Sequence, residues 1–242
     1  MTLRNKVVVV TGAARGLGSA VADRLRTAGA HVIRADLSFP GDDWPDRVAL
    51  DVADADSWER FAARVRERAG RLDVLVNNAG ISARADVVGT DDEDFAHILR
   101  VNVWGVWRGI KTFADDLAAT GGCVINVGSI YGATTAPPSR VSPSSVAYQA
   151  GKAAVHQITK VAAVELAPRG VRVNAVLPGV FRTELLADLP PEELQVRVGG
   201  APLGRPGESA ELGPVVELLA GPGASFVTGA LIPVDGGYLA AS

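Results

Sequence analysis

The sequence predicts an α/β fold in which a mainly parallel sheet is covered by helices on both faces. Seven short runs rich in β-branched residues recur along the 242-residue chain, and most are separated by segments of helix length. Several of these runs are continuously apolar, as expected of strands that are buried on both faces. Strands that alternate with helices form parallel sheets with right-handed crossovers. Because no internal repeat or long linker interrupts this pattern, we expect one doubly wound domain over residues 1–242.

The predicted strands follow one another in chain order. They cover residues 7–11, 31–36, 48–51, 74–77, 124–129, 172–177 and 230–234. Glycine and proline mark the ends of the helices between them. The first helix is expected to end near Gly29, and the helix before the sixth strand is expected to end at Pro168 and Gly170. The stretch "LSFPGDDWP", between the second and third strands, is too short and too broken to form a helix.

Composition excludes several classes of function. The net charge of −3 provides no basic patch for nucleic acid and no polybasic run for a membrane surface. Cys123 is the sole cysteine, so a disulfide framework within one chain is impossible, and its apolar neighbours favour a buried packing role. The apolar run near the N-terminus is too short for a signal peptide or a membrane span. We therefore expect a cytoplasmic protein without nucleic-acid or membrane partners.

The segment "TGAARGLGSA" follows the first strand directly and opens the first helix. It places glycines at Gly12, Gly16 and Gly18. A glycine-rich turn allows backbone N–H groups to approach a pyrophosphate at the positive end of a helix dipole. The alternative is a strand-to-helix turn without a ligand. The segment therefore indicates a candidate dinucleotide site.

Asp36 ends the second predicted strand, 18 residues beyond Gly18. A carboxylate at about this distance can accept hydrogen bonds from the adenosine ribose, and it would repel a 2′-phosphate. Two unit charges about 4 Å apart at a surface interact by roughly 4 kcal/mol before screening. The next residue, Leu37, is not basic, although Arg15 and Arg34 could each offer a guanidinium to a phosphate. On balance these residues favour NAD over NADP.

The stretch "SSVAYQAGKAA" places Tyr148 and Lys152 four positions apart, on the same face of a helix. This spacing is common by chance and indicates little alone. Together with other motifs, however, it resembles the short-chain dehydrogenase/reductase family over nearly the whole chain. These motifs are TGxxxGxG at 11–18, NNAG at 77–80, Asn102 in "RVNVWG", Ser129 after the fifth strand, YxxxK at 148–152, Pro178–Gly179 followed by Thr183, and "VDGGY" at 234–238.

The resemblance implies a Rossmann-type doubly wound three-layer αβα sandwich with a seven-stranded, mainly parallel sheet. It also implies an NAD(H)-dependent oxidoreductase that interconverts a secondary alcohol and a ketone without a metal. Tyr148 would be the general base or acid, Lys152 would lower its pKa and bind the nicotinamide ribose, Ser129 would hold the substrate oxygen, and Asn102 would anchor a water relay. Lowering the pKa of a tyrosine from about 10 to neutrality would require roughly 4 kcal/mol.

The resemblance also assigns cofactor contacts position by position. The glycine loop would bind the pyrophosphate, the next two strand ends the adenosine, and the later turns the nicotinamide ribose and carboxamide. The implied contacts are Gly12, Arg15, Gly16, Leu17, Gly18, Asp36, Leu37, Asp51, Val52, Asn78, Ala79, Gly80, Tyr148, Lys152, Pro178, Gly179, Val180 and Thr183.

The chain departs from the family pattern between Ser129 and Tyr148, which are 19 positions apart. The additional residues fall within 132–145 and include prolines at 137, 138 and 143. This insertion either forms a substrate wall or lid, or is a tolerated surface loop. Tyr131 could also face the cleft, and residues 180–200 resemble the family's variable substrate loop. In that loop, Phe181, Leu185 and Leu186 either form an apolar side of the pocket or simply pack the loop.

Small residues crowd the helix that carries Tyr148, which in the family packs across a subunit interface. A homotetramer or homodimer is therefore implied. Trp104 and Trp107 are expected to pack in the core or at an interface, and His31, His97 and His156 are expected to be structural or exposed.

The alternative functions are an NADPH-dependent 3-ketoacyl-type reductase, which Arg15 would favour, and a nucleotide-binding regulatory protein without turnover.

Overall fold

The centre of the molecule is a parallel sheet of seven strands in the order β3-β2-β1-β4-β5-β6-β9. The computed structural model describes residues 2–39, 46–83, 85–137, 145–183 and 190–242. The strands of the central sheet are β1 (Val7–Thr11), β2 (His31–Asp36), β3 (Arg47–Ala49), β4 (Val74–Asn77), β5 (Cys123–Val127), β6 (Arg172–Pro178) and β9 (Leu231–Val234). A short parallel ladder joins β7 (Phe181–Arg182) to β8 (Gly207–Glu208).

Helices cover both faces of the sheet, which confirms the predicted Rossmann-type doubly wound fold. They are α1 (Gly16–Thr27), α2 (Ala55–Ala69), α3 (Asp92–Leu99), α4 (Gly105–Thr120), α5 (Val146–Leu166), α6 (Pro191–Val198), α7 (Gly213–Ala220) and α8 (Tyr238–Ala241). A π-helical turn, Arg100–Trp104, joins α3 to α4. The sequence motifs did not predict this turn.

Alternate residues of β1 enter two separate hydrophobic cores. Val7 and Val9 belong to the core beneath α2, α4 and α5, whereas Val8 and Val10 belong to the core beneath α1 and α7. On the first side, Trp58, Phe61 and Phe113 meet edge to face, with ring centroids 6.1–6.4 Å apart. Because both faces of β1 are covered, its first four residues are all apolar instead of alternating with polar ones.

The strand order reverses between β1 and β4. β1 pairs with β2 on one side, Val9 opposite Ile33, and with β4 on the other, Val9 opposite Leu75. Strand β4 then continues the sheet in the opposite direction towards β9. In open α/β sheets, ligands bind at the carboxyl ends of the strands at such a switch point.

Two strands are shorter than predicted at their carboxyl ends. β3 ends at Ala49 instead of residue 51, and β5 ends at Val127 instead of residue 129. The side chain that follows each strand turns back onto the backbone: Asp51 accepts a hydrogen bond from the Ala53 N–H, and Ser129 accepts one from the Tyr131 N–H. These local bonds start turns and end the strand ladders.

Helix ends agree with the glycine and proline signals. Gly29, just after α1, has a φ of +96°. Helix α5 is followed by a 3₁₀ turn through Pro168, and Gly170 then has a φ of +76°. Cys123 is buried, as expected. No helix within the described ranges is both long and apolar enough to span a bilayer.

Candidate active site

The candidate site is formed where the carboxyl ends of adjacent parallel strands meet at one edge of the sheet. Thr11, Asp36, Asn77, Val127 and Pro178 are the last residues of β1, β2, β4, β5 and β6. These strands are neighbours in the sheet, so the turns that follow them lie side by side. Most of the residues that the sequence motifs selected lie in these turns, in the turn after β3 or in the adjoining helices.

The glycine loop between β1 and α1 packs closely on one side and is open on the other. Gly12 has a φ of +64°, and a Cβ placed on it would lie 2.8 Å from the Cα of Ala79. A Cβ on Gly18 would collide with the carbonyl of Gly12, whereas one on Gly16 would meet no atom within 4 Å. The loop therefore presents its backbone as a cradle at the start of α1.

The start of α1 carries no acidic side chain in its first turn, and Arg15 is its N-cap residue. The free N–H groups and the helix dipole make this end electropositive. Leu17 packs against the core below and holds the first turn in place. This open, electropositive cradle fits a dinucleotide pyrophosphate.

Asp36 is held rigidly beside the glycine loop. One of its carboxylate oxygens accepts a hydrogen bond from the Ala14 N–H at 2.9 Å, and the other accepts one from the Leu37 N–H at 2.8 Å. Leu37 itself is 69% exposed. A fixed negative charge, followed by an apolar side chain, stands where the sequence predicted the adenosine ribose to bind.

Arg34 is engaged on the surface of α1. Its guanidinium donates to a carboxylate oxygen of Asp23 at 2.7 Å and to the Ser19 hydroxyl at 3.2 Å. These contacts direct its charge to Asp23, so Arg34 does not offer the guanidinium to a phosphate in this arrangement.

Asp51 and Val52 form the start of the turn after β3. Asp51 is exposed and accepts a hydrogen bond from the Ala53 N–H at 2.8 Å. Val52 is buried, and its carbonyl accepts a hydrogen bond from the indole N–H of Trp58 at 3.0 Å. The carboxylate of Asp51 therefore faces outward while Val52 packs inward against α2.

Asn78 ties the turn after β4 to the glycine loop. Its side-chain amide donates to the carbonyls of Thr11 and Gly12, both at 2.9 Å, and its own N–H donates to the Thr11 hydroxyl at 3.0 Å. The Ala79 N–H donates to the same hydroxyl. Asn78 therefore positions two loops rather than presenting a free amide to the cleft.

Asn102 lies within the π-helical turn and is fully buried. Its side-chain oxygen accepts from the Ile81 N–H, and its amide donates to the Ile81 carbonyl, both at 2.8 Å. A Cβ on Gly80 would lie 3.3 Å from the Asn102 side-chain oxygen and 3.6 Å from Lys152 Nζ. Asn102, Gly80 and Lys152 are thus immediate neighbours, and π-helical turns of this kind are frequent at functional sites.

Tyr148 and Ser129 meet in front of β5. Ser145 caps α5 and accepts a hydrogen bond from the Tyr148 N–H at 3.2 Å, which fixes the first turn of that helix. Burial raises the pKa of Tyr148, and a hydrogen bond from the Ser129 hydroxyl acts in the opposite direction. In the polypeptide alone, burial thus opposes the lowering that general-base catalysis at neutral pH requires.

Lys152 lies one helical turn after Tyr148 and is only 5% exposed. Its ammonium donates to the Val127 carbonyl at 2.7 Å and lies 5.6 Å from the centre of the Tyr148 ring. Burial lowers the pKa of Lys152 to about 8. The fold therefore keeps a costly buried cation next to the phenol.

His156 lies one further turn along α5 and is buried. A Cβ on Gly128 or on Gly132 would lie 2.7 Å from its ring. Burial and then the charge of Lys152 lower the pKa of His156, while a hydrogen bond to the Ser129 backbone raises it. His156 therefore has the structural role that the sequence predicted, because its neutral imidazole supports the turn that carries Ser129.

The turn after β6 lies at the other end of the cleft. The Gly179 N–H donates to the Val234 carbonyl at 3.0 Å, and the Val180 carbonyl accepts from the Gly207 N–H at 2.9 Å. A Cβ on Gly179 would lie 2.7 Å from the backbone of Asp235, so only glycine fits. Thr183 is partly buried at the end of this turn.

The residues predicted to form the substrate side of the cleft are only partly described by the structure. Phe181 is buried in the core beneath α1 and α7, which agrees with the packing alternative and not with a pocket lining. Leu185, Leu186 and residues 138–144 of the insertion lie outside the described residues, so the lid hypothesis stays a prediction.

Comparison with known proteins identifies the family. A family model described as enoyl-(acyl carrier protein) reductase matches residues 12–239. Galactitol 2-dehydrogenase (L-tagatose-forming) of Cereibacter sphaeroides is 36% identical over 241 residues, covering 95% of this chain and 93% of that protein. The chain belongs to the short-chain dehydrogenase/reductase family. This membership makes it an oxidoreductase and implies a nicotinamide cofactor.

Further short-chain dehydrogenases and reductases cover nearly the whole chain. The 3-oxoacyl-[acyl-carrier-protein] reductase of Thermotoga maritima is 36% identical, with 99% of this chain and 100% of that protein covered. The ligand-free structure of an aldohexose dehydrogenase from Thermoplasma acidophilum superposes with a TM-score of 0.90 at 29% identity, covering 99% of this chain and 96% of that one. The family resemblance found in the motifs is therefore confirmed.

Proposed function

We propose that this short-chain dehydrogenase/reductase interconverts a secondary alcohol and a ketone with NAD(H), and that Tyr148 is its general acid/base. The observation that carries this proposal is the meeting of Tyr148, Ser129 and the buried ammonium of Lys152 at the carboxyl edge of the sheet. A buried cation that costs stability and lies beside a phenol is better explained by chemistry than by packing.

The residues would divide the reaction between them. Ser129 would hold the substrate oxygen, and in the oxidative direction Tyr148 would accept the hydroxyl proton. When bound, the cofactor would supply the hydride acceptor and a positive charge that favours the tyrosinate. Lys152 would contribute a second positive charge and a donor to the nicotinamide ribose, and Asn102 would keep the neighbouring backbone in place for a water relay.

The preference for NAD rests on Asp36. Its carboxylate is fixed by two backbone N–H groups beside the glycine loop, and Arg34 is engaged by Asp23. A 2′-phosphate near Asp36 would meet like charge at short range. A ribose with free hydroxyls would instead find an acceptor already in place.

A panel of secondary alcohols and ketones tests the proposed function. Absorbance of the reduced cofactor should report turnover with NAD⁺ or NADH, and kcat/KM should be at least about tenfold higher with NAD(H) than with NADP(H). A clear NADP(H) preference would instead support the second candidate, an NADPH-dependent 3-ketoacyl-type reductase, which the similarity to the T. maritima protein favours. Absence of turnover throughout the panel would leave the nucleotide-binding regulatory role.

Asp36→Asn is expected to reverse part of the cofactor preference. Removing the charge should raise kcat/KM for NADP⁺ by about 100-fold, because the repulsion it relieves is of the order of a few kcal/mol. The value for NAD⁺ should fall by about tenfold, since the amide is a weaker acceptor for the ribose. Asp92→Asn, at an exposed carboxylate on α3, is the matched control and should change neither value. An unchanged cofactor ratio in Asp36→Asn would contradict the role of this residue.

We also propose that the protein forms a homodimer or homotetramer through the outer face of α5. A groove of about 610 Å³ lies between α5 and the α3–α4 segment, and apolar side chains such as Leu99, Val103, Trp107 and Ile158 line it. Trp107 is 42% exposed there. The second copy would present the same small-residue face of α5, which includes Ala150 and Ala154.

Trp107→Glu is expected to dissociate the oligomer. A carboxylate in an apolar interface would be buried without a partner, which costs several kcal/mol and is present twice in a two-fold contact. Light scattering at micromolar concentration should show a dimer or tetramer for the wild type and a smaller species for the variant. Val88→Glu, at an exposed residue outside the groove, serves as control. A monomeric wild type would contradict the proposal.

A further inference from the structure

A row of buried polar side chains crosses the sheet beneath the candidate site. Asn77 ends β4, Asn126 lies opposite it on β5, and Thr159 lies on α5. All three side chains are almost completely buried. Because a buried polar group is costly unless it is hydrogen-bonded, the partners of these residues indicate what they contribute.

The three side chains form one continuous chain of hydrogen bonds. The Asn77 amide donates to the side-chain oxygen of Asn126 at 3.0 Å, and the Asn126 amide donates to the Thr159 hydroxyl at 3.0 Å. The Thr159 hydroxyl then donates to the Val155 carbonyl, one turn earlier in α5, at 2.8 Å. Hydrogen bonds arranged head to tail in this way strengthen one another in a low-dielectric interior.

This chain joins α5 to β5 directly beside the anchor of Lys152. Asn126 is followed in β5 by Val127, whose carbonyl accepts the hydrogen bond from Lys152 Nζ at 2.7 Å. Thr159 lies seven residues after Lys152, which is two turns of helix, so both side chains project from the same side of α5. Two consecutive residues of β5 therefore hold two points on one face of α5.

The bond between Asn126 and Thr159 supplies a direction that the surrounding packing lacks. Many of the other buried residues of α5 are small or apolar, among them Ala147, Val155 and Ala163. Hydrophobic packing is non-directional, whereas a hydrogen bond weakens steeply when its angle or its length changes. This bond therefore opposes any sliding or rotation of α5 against β5.

The other end of the chain is held by α4 and by the glycine loop. A Cβ on Gly109 would lie 2.7 Å from Asn77 Oδ1, so α4 packs closely against this side chain. The next residue, Asn78, donates to two backbone carbonyls where the glycine loop begins. The chain of hydrogen bonds therefore extends from the turn that holds the glycine loop to the helix that carries Lys152.

We propose that Asn126 and Thr159 are positioning residues for the reaction, and that they act by holding the ammonium of Lys152 at the Val127 carbonyl, beside the phenol of Tyr148. A displacement of α5 would move the positive charge relative to the phenol, and the interaction between charges weakens with distance. This inference rests on the proposed function, because it concerns how the residues of the same site are held.

Thr159→Val tests the inference, because it nearly preserves the shape of the side chain and removes the hydroxyl. With NAD⁺ and a secondary alcohol, kcat should fall by about 20-fold while KM for both stays within about threefold. Thr159→Ser retains the hydroxyl and should keep kcat within about threefold of the wild type. Thr120→Val is the matched control, since the Thr120 hydroxyl donates to the Leu72 carbonyl at the opposite edge of the sheet and its loss should leave kcat unchanged.

A double-mutant cycle with Lys152→Met separates the positioning of Lys152 from a general loosening of the structure. In the Lys152→Met background, Thr159→Val should lower kcat by less than about twofold, because no ammonium is left to position. A loss of about 20-fold in both backgrounds would mean that Thr159 does not act through Lys152, and the inference would be overturned.

Asn126→Leu combined with Thr159→Val provides a second test if Thr159→Val alone does not fold. The single substitution leaves the Asn126 amide without its acceptor, whereas the combination replaces both partners by apolar groups, which can be nearly neutral for stability. Asn77 keeps the Val106 carbonyl as an acceptor. The combined variant, once shown to be folded by circular dichroism, should also lose about 20-fold in kcat.

The outcomes distinguish this inference from the proposed function. A wild-type kcat in folded Thr159→Val or in the combined variant would overturn the positioning role and leave the proposed function standing. Absence of turnover by the wild type for secondary alcohols and ketones alike would count against the proposed function itself.

Discussion

Tyr148→Phe is expected to lower kcat by about a thousandfold while leaving the Kd for NAD⁺ within about twofold. The substitution removes one oxygen and keeps the ring, so packing around α5 is preserved. General acid/base catalysis is typically worth about 10²–10⁴-fold. The loss should therefore appear in the chemical step and not in cofactor binding, because the glycine loop and Asp36 lie at other strand ends.

Single-turnover kinetics and calorimetric titration with NAD⁺ measure the two quantities separately. An unchanged far-ultraviolet circular dichroism spectrum would establish that Tyr148→Phe is folded. If the variant retained kcat within tenfold of the wild type, Tyr148 would not be the general acid/base, and the proposed mechanism would have to be abandoned.

Lys152→Met is expected to remove most turnover and to stabilise the protein at neutral pH. The pKa of Lys152 is lowered to about 8 by burial, from an ordinary value of 10.5. That difference corresponds to roughly 3 kcal/mol of unfavourable burial. Loss of the hydrogen bond to the Val127 carbonyl offsets about 1–2 kcal/mol of this. We therefore expect the free energy of unfolding to rise by about 1–2 kcal/mol and kcat to fall by about 100-fold or more.

The gain in stability expected of Lys152→Met depends on pH. Between about pH 8 and 10.5 the unfolded chain binds a proton that folded Lys152 has lost, so the wild type gains stability as the pH rises. Below about pH 8 both states are protonated and the full cost of burial is present. The advantage of Lys152→Met in urea unfolding should accordingly be largest at pH 7 and should shrink by pH 10. A variant less stable than the wild type at pH 7 would contradict this account.

The strands that are covered on both faces were predictable from the sequence. The predicted bounds of β1 and β4, whose residues are all buried, agree with the structure, and so do those of β2. β3 is an edge strand in which only Val48 is buried, and its predicted bounds were displaced. An edge strand carries a weaker apolar signal, so its limits depend on neighbouring turns instead.

The placement of the candidate site residues at one edge of the sheet was predictable, but most of their partners were not. Tyr148, Lys152, Ser129 and Asn102 occur at recognisable spacings, each close to a strand end or helix start. That Lys152 donates to the carbonyl of Val127 depends on how closely α5 approaches β5, which local sequence does not encode. The π-helical turn at Arg100–Trp104 contains no proline or other interrupting residue that would have marked it.

Tyr148 meets Ser129, and Tyr131, two residues after Ser129, meets Tyr238 edge to face with ring centroids 6.3 Å apart. The three tyrosines of the chain therefore lie close together and give the protein an internal optical reporter. Ionisation of a phenol changes its ultraviolet absorbance, and each phenol in this chain belongs to the same cleft. A tyrosinate difference spectrum recorded during a pH titration, or while cofactor is added, therefore contains no contribution from remote tyrosines. The summed ionisation of the tyrosines in this cleft can therefore be followed without a label.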